Sequence, residues 1–546
     1  MLELSEIRCS LKHGSTEAGC LESGRRAAMK LFGCERNDIK RIELRKKSVD
    51  ARKKQDVHFM LTVRVELENQ DREERALRGV RKQDQRRVRR VAGDAVTFPA
   101  PLGTHAHPVH RPIVVGAGCA GLFAALSLAK AGLEPLLIEQ GDDAERRSAA
   151  VGHFNTTGEL DPMSNIQFGL GGAGTFSDGK LNTGTKNPSH RLILQTFVEM
   201  GAGREILWDA KPHIGSDVLP AVVTNIVARI RELGGEVRFR TQLTGIERAS
   251  DGSVTGITVT QDDREERLST NHLVLACGHS ARDVFELLQR SGFELRRKTF
   301  AMGVRIEHLQ ADIDRALYGS AASHPALGAA PYRLVAHLEN GRSLFSFCMC
   351  PGGEVVAAAS EPGGVVTNGA SLHARAGRNA NAALLVNVTA KDLPGTDPLE
   401  GIRLQQTCER AAYELGGGAY RAPAQQVGDF LVNRPSVSRG RVEPTYPRGV
   451  TWTSLDTALP PHIIESLRLG LPVLGRKLRG YDDPEAVLTG VETRSSSPIT
   501  VVRDEACQAV GAPGLFPCGE GAGYAGGIMS AAADGLRCAD AIINSL

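Results

Sequence analysis

Residues 113–121, Ile-Val-Val-Gly-Ala-Gly-Cys-Ala-Gly, decide the fold that the sequence predicts. A short apolar strand at Ile113–Val115 runs into three spaced glycines, and a helix of small residues follows them. Gly116 permits a tight turn, Gly118 lets the backbone approach a pyrophosphate, and Gly121 lets the helix pack closely on the strand. The segment therefore predicts a dinucleotide-binding unit in a doubly wound α/β domain.

A carboxylate follows at the distance that such a unit requires. A second apolar strand, Pro135–Ile138, ends in Glu139, about 20 residues after the last glycine, where an acid binds ribose hydroxyls. The free N–H groups and the helix dipole at the glycine turn favour phosphate. The plainer alternative is a glycine turn in an unrelated α/β core.

Later segments point to FAD among the dinucleotides. Predicted strands at Leu243–Arg248 and Val254–Thr260 are joined by a Ser-Asp-Gly-Ser turn, and this β-meander replaces a crossover helix, as in FAD-binding domains. Near the C-terminus a strand from Gly514 runs into Glu520, and a glycine-rich opening leads into a helix. We expect Glu520 to bind the ribityl chain and the N–H groups of 526–529 to face the flavin pyrimidine edge, where a helix N-terminus stabilises negative charge.

The residues predicted to contact the cofactor are Gly116, Gly118, Gly121, Glu139, Gly171, Gly172, Leu243, Gly278, Gly519, Glu520, Gly526, Gly527, Ile528 and Met529.

Composition excludes several classes of protein. The 546 residues include 60 glycines without a three-residue period, and 41% hydrophobic with 24% charged residues is ordinary for a folded globular chain. Eleven cysteines are too few for a disulfide scaffold. Because the N-terminus does not resemble a signal peptide and no apolar run reaches membrane-spanning length, we expect a cytoplasmic protein without a transmembrane segment.

The sequence predicts an α/β protein with a Rossmann-type FAD-binding domain containing the β-meander, a mixed α/β substrate-capping domain and a small N-terminal α+β domain. The expected ranges are 1–95 for the N-terminal domain, 96–111 for a Pro/His-rich linker, 112–284 and 484–546 for the FAD-binding domain, and 285–483 for the cap.

The N-terminal part is basic, with 25 Lys and Arg against 16 Asp and Glu up to Arg111. The arginine-rich segment 78–90 contains no aromatic residue to stack on bases, so a solvated helix or connector is favoured over a nucleic-acid site. The linker histidines His105, His107 and His110 have no Cys or carboxylate at ligand spacing, so we predict no metal site.

Four residues are predicted to take part in catalysis: Lys180, Cys348, Cys350 and Arg494. Lys180 is expected to place its charge near flavin N5; the alternative is a solvated turn with Asp178-Gly179 at its corner. Cys348 and Cys350, on one predicted strand, are expected to share a face and to pack against the flavin or the core, and dithiol exchange is the alternative.

Arg494 is expected to form a buried ion pair with Glu492 beside the substrate, or to belong to a loop that satisfies its own backbone. His213 is a candidate acid or base, although a hydrogen-bonded structural histidine is favoured.

The chain resembles a bacterial family of uncharacterised FAD-dependent dehydrogenases. The resemblance spans nearly the whole chain and is carried by FGLGGAGTFSDGKLNT (168–183), AKPHIGSD (210–217), CGHSARD (277–283), FCMCPGGEVV (347–356), APAQQVGDF (422–430), VLTGVETRSSSP (487–498) and FPCGEGAGYAGGIMSAAADG (516–535). It implies an FAD-binding fold related to the glutathione-reductase and geranylgeranyl-reductase types, and an oxidoreductase activity.

The predicted function is therefore an FAD-dependent oxidoreductase that transfers a hydride through the flavin to or from a small-molecule substrate. No second Gly-x-Gly-x-x-Gly follows a strand, so NAD(P)H as electron donor would bind only transiently. The alternatives are an isoprenoid- or lipid-type saturase and an RNA-modifying flavoprotein that uses the basic N-terminal domain.

Overall fold

The computed structural model describes residues 1–93, 96–103, 108–182, 184 and 186–546. The strands within them are β1 (Leu2–Cys9), β2 (Ile39–Asp50), β3 (His58–Leu67), β4 (Val88–Arg90), β5 (Ile113–Val115), β6 (Leu136–Ile138), β7 (Glu236–Arg238), β8 (Gln242–Arg248), β9 (Val254–Gln261), β10 (Arg264–Ser269), β11 (Leu273–Leu275), β12 (Leu295–Arg297), β13 (Phe300–Leu309), β14 (Val335–His337), β15 (Ser343–Cys350), β16 (Glu354–Ala357), β17 (Thr367–Ala370), β18 (Asn379–Val388), β19 (Ala422–Gln426), β20 (Val450–Trp452), β21 (Val487–Glu492), β22 (Ile499–Val501) and β23 (Leu515–Pro517). The α-helices are α1 (Glu17–Phe32), α2 (Gln70–Gly79), α3 (Cys119–Lys130), α4 (Ala144–Thr157), α5 (His190–Glu199), α6 (Leu219–Glu232), α7 (Arg282–Arg290), α8 (Gln310–Tyr318), α9 (Glu400–Leu415), α10 (Val427–Leu431), α11 (Pro461–Lys477) and α12 (Ile528–Ser545).

The N-terminal unit is a βαββαβ arrangement with an antiparallel sheet in the order β2-β3-β1-β4. Its helix α1 begins after Thr16, which caps the first turn by accepting from the Gly19 N–H, and ends before Gly33, which adopts φ 62°. In the arginine-rich segment 78–90, α2 ends at Gly79 and β4 pairs with β1. Part of the predicted connector is therefore an edge strand of this sheet.

The parallel sheet that follows has the order β23-β11-β5-β6-β7. Its short strands are buried on both faces, as parallel sheets require: Val114 faces α3, α6 and α12, whereas Ile113 and Val115 face the meander and α7. The meander, β8-β9-β10, is antiparallel with the predicted strand positions. The Rossmann-type FAD-binding fold expected from 113–121 is therefore present.

A second, seven-stranded sheet has the order β14-β15-β18-β13-β21-β19-β20. Helices α8 and α11 pack on it, and one of its faces belongs to the largest hydrophobic cluster. Strand β21 lies between β13 and β19 in this sheet, although the proposed boundary at 484 assigns its residues to the FAD-binding domain. No helix in the described parts of the chain is long and apolar enough to span a membrane.

A buried carboxylate connects the domain of the parallel sheet with that of the seven-stranded sheet. Glu409 on α9 accepts from Arg282 of α7 at 2.8 Å and from Arg494, just after β21, also at 2.8 Å. Burial opposes ionisation, but the two guanidinium groups hold the pKa of Glu409 well below its ordinary value. Because this pKa is lowered on folding, the contribution to stability is present above the ordinary pKa of a glutamate and is lost only as the pH falls below it.

We predict that Glu409→Gln lowers the free energy of unfolding by about 3–5 kcal/mol, since it leaves two buried cations without their shared anion. Urea denaturation at neutral pH measures the change. Glu414→Gln, on the same helix but exposed, should stay within about 0.5 kcal/mol of the wild type. Equal midpoints for the two variants would contradict the assigned role of Glu409.

Candidate functional site

The turn after β5 has the geometry that a dinucleotide requires. Gly116 adopts φ 99°, and an added Cβ would collide with the carbonyl of Ala276; a Cβ on Gly121 would collide with the carbonyl of Gly116. A Cβ on Gly118 would meet only the Cα of Gly172, at 3.9 Å. Gly116 and Gly121 are thus needed for packing, whereas the space beside Gly118 is open to a ligand.

The loop that carries Gly171 and Gly172 lies against this turn. Gly171 forms a parallel bridge with Gly118 and donates its N–H to the Ala117 carbonyl at 2.8 Å. A Cβ on Gly174 would lie 3.3 Å from Ile528 at the start of α12. The loop therefore connects the pyrophosphate turn with the predicted flavin-side helix.

Glu139 ties the same loops together. Its buried carboxylate accepts N–H bonds from Ala117 at 2.8 Å, from Gly141 at 3.0 Å and from Gly169 at 2.9 Å. Sequence reasoning anticipates a ribose contact for Glu139 but not these backbone bonds, which have no sequence signal of their own. The carboxylate thus stabilises the arrangement of these loops, and its remaining acceptor capacity faces the same turn. We call the glycine segments 116–121, 169–174 and 526–527 together the glycine cradle.

Three of the other predicted cofactor glycines have open space beside them. Added Cβ atoms on Gly278, Gly526 and Gly527 would meet nothing within 4 Å. Helices α3 and α12 both begin at a glycine with no side-chain cap, so their first N–H groups are available to anionic groups. These residues fit FAD: the N–H groups at the start of α3 would hold the pyrophosphate, and those at the start of α12 would face the flavin.

Glu520 lies close to Cys119 at the start of α3 and to Lys298. Burial raises the pKa of Glu520 to about 7, and Lys298 opposes this shift only in part. A carboxyl that is half-protonated near neutral pH can either donate to or accept from a ribityl hydroxyl.

A second set of polar residues lies in the loop after Gly174 and in the cap. The Lys180 ammonium lies 3.0 Å from Asp178 and 3.6 Å from the Cys350 sulfur. Asp178 is buried and also pairs with Arg375 of the cap. Burial alone would raise its pKa, but Lys180 and Arg375 lower the pKa of Asp178 to about 2. The segment is therefore not the solvated turn of the alternative interpretation.

The two predicted catalytic cysteines do not share a face. Strand β15 has an irregular register between Phe347 and Cys350, and Cys348 adopts φ 40°. Cys348 is consequently exposed and Cys350 buried, so the same-face expectation is wrong because a bulge interrupts the alternation. Although Cys348 contacts solvent, the surrounding protein desolvates it and raises the pKa of its thiol to about 12.

Arg305 holds Cys350 from the sheet side. This fully buried residue of β13 donates to Glu492 at 2.8 Å, to Asn381 at 2.8 Å and to the Cys350 sulfur at 3.4 Å. Sequence reasoning missed Arg305; the available signal was a charged residue inside the otherwise apolar run Phe300–Ile306.

The predicted pair of Glu492 and Arg494 is wrong. Glu492 pairs with Arg305 at 2.8 Å, and Arg494 pairs with Glu409 at 2.8 Å. Both are buried, but each finds its partner on another element. The Arg494 guanidinium helps to lower the pKa of His279, in the loop after β11, to about 4, where burial is the main cause.

His213 donates its Nε2–H to the backbone oxygen of His373 at 3.0 Å, and its ring stacks on that of His373. Burial and then Arg375 lower its pKa. These contacts fit the structural role that the sequence favours.

Two groups bear on metal binding. His105 and His107 lie outside the described residues. Within the described residues, Cys518, Asp534 and Cys538 bring ligand atoms within 4.8 Å of one another, but Arg503 donates to both oxygens of Asp534.

Comparison with known proteins identifies the family. Residues 111–314 match an FAD binding domain, residues 299–495 match the C-terminal domain of FAD-dependent proteins, and residues 1–66 match a domain of unknown function. An uncharacterised protein of Clostridium beijerinckii is 42% identical over 516 residues, which is 94% of each chain. The chain belongs to this family of FAD-dependent proteins. It is an FAD-dependent oxidoreductase, as the sequence predicts.

Among solved structures, a geranylgeranyl bacteriochlorophyll reductase-like protein of Thermoplasma acidophilum is 11% identical with a TM-score of 0.35, and covers 80% of this chain and 78% of its own. A 3-ketosteroid dehydrogenase of Rhodococcus jostii is 12% identical with a TM-score of 0.36, and covers 82% of this chain and 100% of its own. Similarities at this sequence identity and TM-score do not indicate which reaction the oxidoreductase catalyses.

We predict that Gly118→Val abolishes retention of FAD while the oxidoreductase still folds, because the added side chain enters space that is empty of protein atoms. Absorbance of the purified protein and its far-UV circular dichroism measure the two effects. Gly79→Val, at the end of α2, also enters open space and should leave the yellow colour intact. Bound FAD in Gly118→Val would contradict the assigned pyrophosphate turn.

A second prediction concerns Glu520. Because folding raises its pKa from the ordinary 4.5 to about 7, the FAD-free protein should lose stability as the pH rises through this window. The difference in Tm between Glu520→Gln and the wild type should therefore grow from pH 5 to pH 8 in favour of the variant. Glu505→Gln, an exposed control, should show no such trend, and a difference of constant size for Glu520→Gln would contradict the raised pKa.

Proposed function

We propose that the oxidoreductase transfers a hydride to or from a small organic substrate held between the glycine cradle and the seven-stranded sheet. FAD, when bound, supplies the two-electron chemistry. The residues of the chain orient the substrate, exclude water and place charge.

The position of Lys180 carries this proposal. The side chain is 27% exposed, whereas its partner Asp178 is buried, so the ion pair fixes the ammonium while part of the side chain stays accessible. Burial disfavours the charged form, but Cys350 and Asp178 raise the pKa of Lys180 overall. The ammonium is thus a permanent cation at the edge of the cradle, which favours negative charge that develops there during hydride transfer.

The charges around Lys180 do not cancel. Three cations, Lys180, Arg305 and Arg375, share two carboxylates, Asp178 and Glu492. Because these side chains are largely shielded from solvent, their excess positive charge attracts an anionic or carbonyl group of a substrate.

The same face of the sheet also carries an apolar patch. Alternation along β13 and β18 puts Ala301 on the side of Arg305 and puts Ala383 and Leu385 on the side of Asn381. Phe345 and Phe347 of β15 pack against these residues. The substrate proposed for this face therefore combines an apolar body with a polar or anionic end next to the reacting carbon.

Arg494 acts in this proposal as a positioning residue. Its guanidinium is occupied by Glu409 and Ser360, and its charge adds to the burial that lowers the pKa of the neighbouring His279.

We predict that Lys180→Met lowers turnover by about 100-fold and makes the flavin reduction potential more negative, because it removes the cation from the cradle. Stopped-flow reduction and a potentiometric titration measure the two effects. Lys186→Met changes an exposed lysine of the same segment and is the matched control. Unchanged potential and turnover in Lys180→Met would remove Lys180 from the mechanism.

A reduced nicotinamide is the proposed electron donor. Since the sequence contains no second glycine turn of the 113–121 kind, the donor would bind over the flavin for the transfer alone. Anaerobic addition of NADH or NADPH should bleach the flavin of the purified enzyme, and a flavin that stays oxidised with both would contradict this donor.

A further inference from the structure

The N-terminal sheet carries a cavity that shares no residue with the glycine cradle. Helix α1 covers one face of this sheet, where Leu4, Leu44 and Val63 lie side by side in the hydrophobic core. The alternate residues of the strands therefore point to the opposite face. A cavity of about 520 Å³ lies there, and its lining comes from the N-terminal unit: Glu3, Ser5, Arg45, Lys46, Thr62, Arg64, Arg86, Arg87 and Arg89.

One row of residues across this face has alternating charges. Glu43 of β2 lies opposite Arg64 of β3, Arg64 lies opposite Glu3 of β1, and Glu3 lies opposite Arg89 of β4. The buried Glu3 carboxylate accepts from Arg64 at 3.1 Å and from Arg89 at 2.8 Å. A guanidinium has five donors, of which Arg89 directs two at Glu3. Since the Arg89 side chain is 72% exposed, its other donors are available to a ligand.

The next row has short hydroxyl side chains in the middle and cations at both edges. Lys46 of β2 lies opposite Thr62 of β3, and Ser5 follows in the bulge of β1. Beyond Ser5, Arg87 donates to the Ser5 carbonyl at 3.4 Å, and Arg86 precedes it in the chain. The arginine-rich segment 78–90 thus forms one wall of a trough, and the edge of β2 forms the other.

Positive charge dominates the lining, which contains six cations and one carboxylate. Carboxylates outside the cavity balance part of this charge: Glu6 lies beside Arg86, Glu43 beside Arg45 and Asp84 beside Arg87. Arginine binds phosphate through two parallel N–H bonds, and lysine binds it as a point charge. The two walls therefore suit an anion with several oxygens that can accept from both sides at once.

The size and the lining of the cavity favour a compact anion over a nucleic acid. Its volume lies within the range of about 300–1,000 Å³ that is usual for small-molecule sites. Among the described residues, none that lines the cavity is aromatic, so the face lacks the stacking platforms that hold the bases of a single strand.

We propose that this cavity binds a chain of two or three linked phosphates, either free or as part of a nucleotide. Lys46 and Arg45 contact the phosphates from the edge of β2, and Arg86, Arg87 and Arg89 contact them from the opposite wall. Glu3 holds Arg64 and Arg89 in position between the walls. The site is separate from hydride transfer and does not depend on it.

Calorimetric titration of the FAD-saturated holoenzyme with tripolyphosphate at low salt tests this proposal, because FAD then occupies the pyrophosphate turn of the cradle. One site per chain should appear, and added KCl should weaken it. Lys46→Gln and Arg86→Gln change exposed residues of opposite walls, and each should raise Kd about 10-fold through loss of a charge-assisted contact. Lys30→Gln, on the exposed side of α1, removes the same charge and should leave Kd within about twofold of the wild type.

Titrations with ATP and adenosine distinguish the two sources of the phosphates. Equal Kd values for ATP and tripolyphosphate support a site for the phosphates alone, whereas tighter binding of ATP, with no binding of adenosine, supports a nucleotide. Absence of saturable binding of tripolyphosphate, or one Kd for the wild type and all three variants, would overturn the proposal. A single-stranded RNA of about eight nucleotides that binds more tightly than tripolyphosphate would overturn it in favour of a nucleic-acid surface.

Discussion

The buried carboxylate of Asp178 is the contact on which the arrangement of the site depends. It lies in the loop that packs against the glycine turn after β5, and it pairs with Lys180 in its own segment and with Arg375 from the cap. One anion thus fixes the cation of the cradle and the position of the cap relative to it. An isolated carboxylate at 1% exposure would be strongly unfavourable, so the three charges are interdependent and removal of any one leaves the others badly solvated.

A second buried ion pair, between Arg305 and Glu492, follows the same principle. Arg305 is buried in the middle of a seven-stranded sheet, where hydrophobic side chains would be cheaper to bury. Its five donors are directed at Glu492, Asn381, the Cys348 carbonyl and the Cys350 sulfur, so the guanidinium gives a defined orientation to the strand that carries the thiols. Buried ion pairs add little net stability. Their role here is geometric, because they determine which polar atoms face the cradle.

The extent to which sequence could predict this structure follows from the range of the interactions. The turn at Gly116–Gly121 and the meander are determined by neighbouring residues through periodicity and turn chemistry, and they appear at the expected positions. The partners of Glu492 and Arg494 are separated from them by 187 and 85 residues, and adjacency in the sequence suggested the wrong pair. The faces of Cys348 and Cys350 were also mispredicted, because one irregular residue in β15 reverses the alternation.

The glycines show why residue type alone does not identify a binding site. Gly121 and Gly118 belong to one motif, yet an added Cβ on the first would strike the backbone and on the second would enter open space. The first is required by the fold, whereas the second is the one that we propose makes room for the ligand, and only the surrounding atoms distinguish them. The same distinction separates Gly526 and Gly527, beside open space at the start of α12, from Gly535, where α12 packs against the backbone of Ala120. Open space alone does not mark a cofactor site, since Gly79 has it too; among the glycines predicted to contact the cofactor, it separates Gly118, Gly278, Gly526 and Gly527 from those that the packing of the protein itself requires.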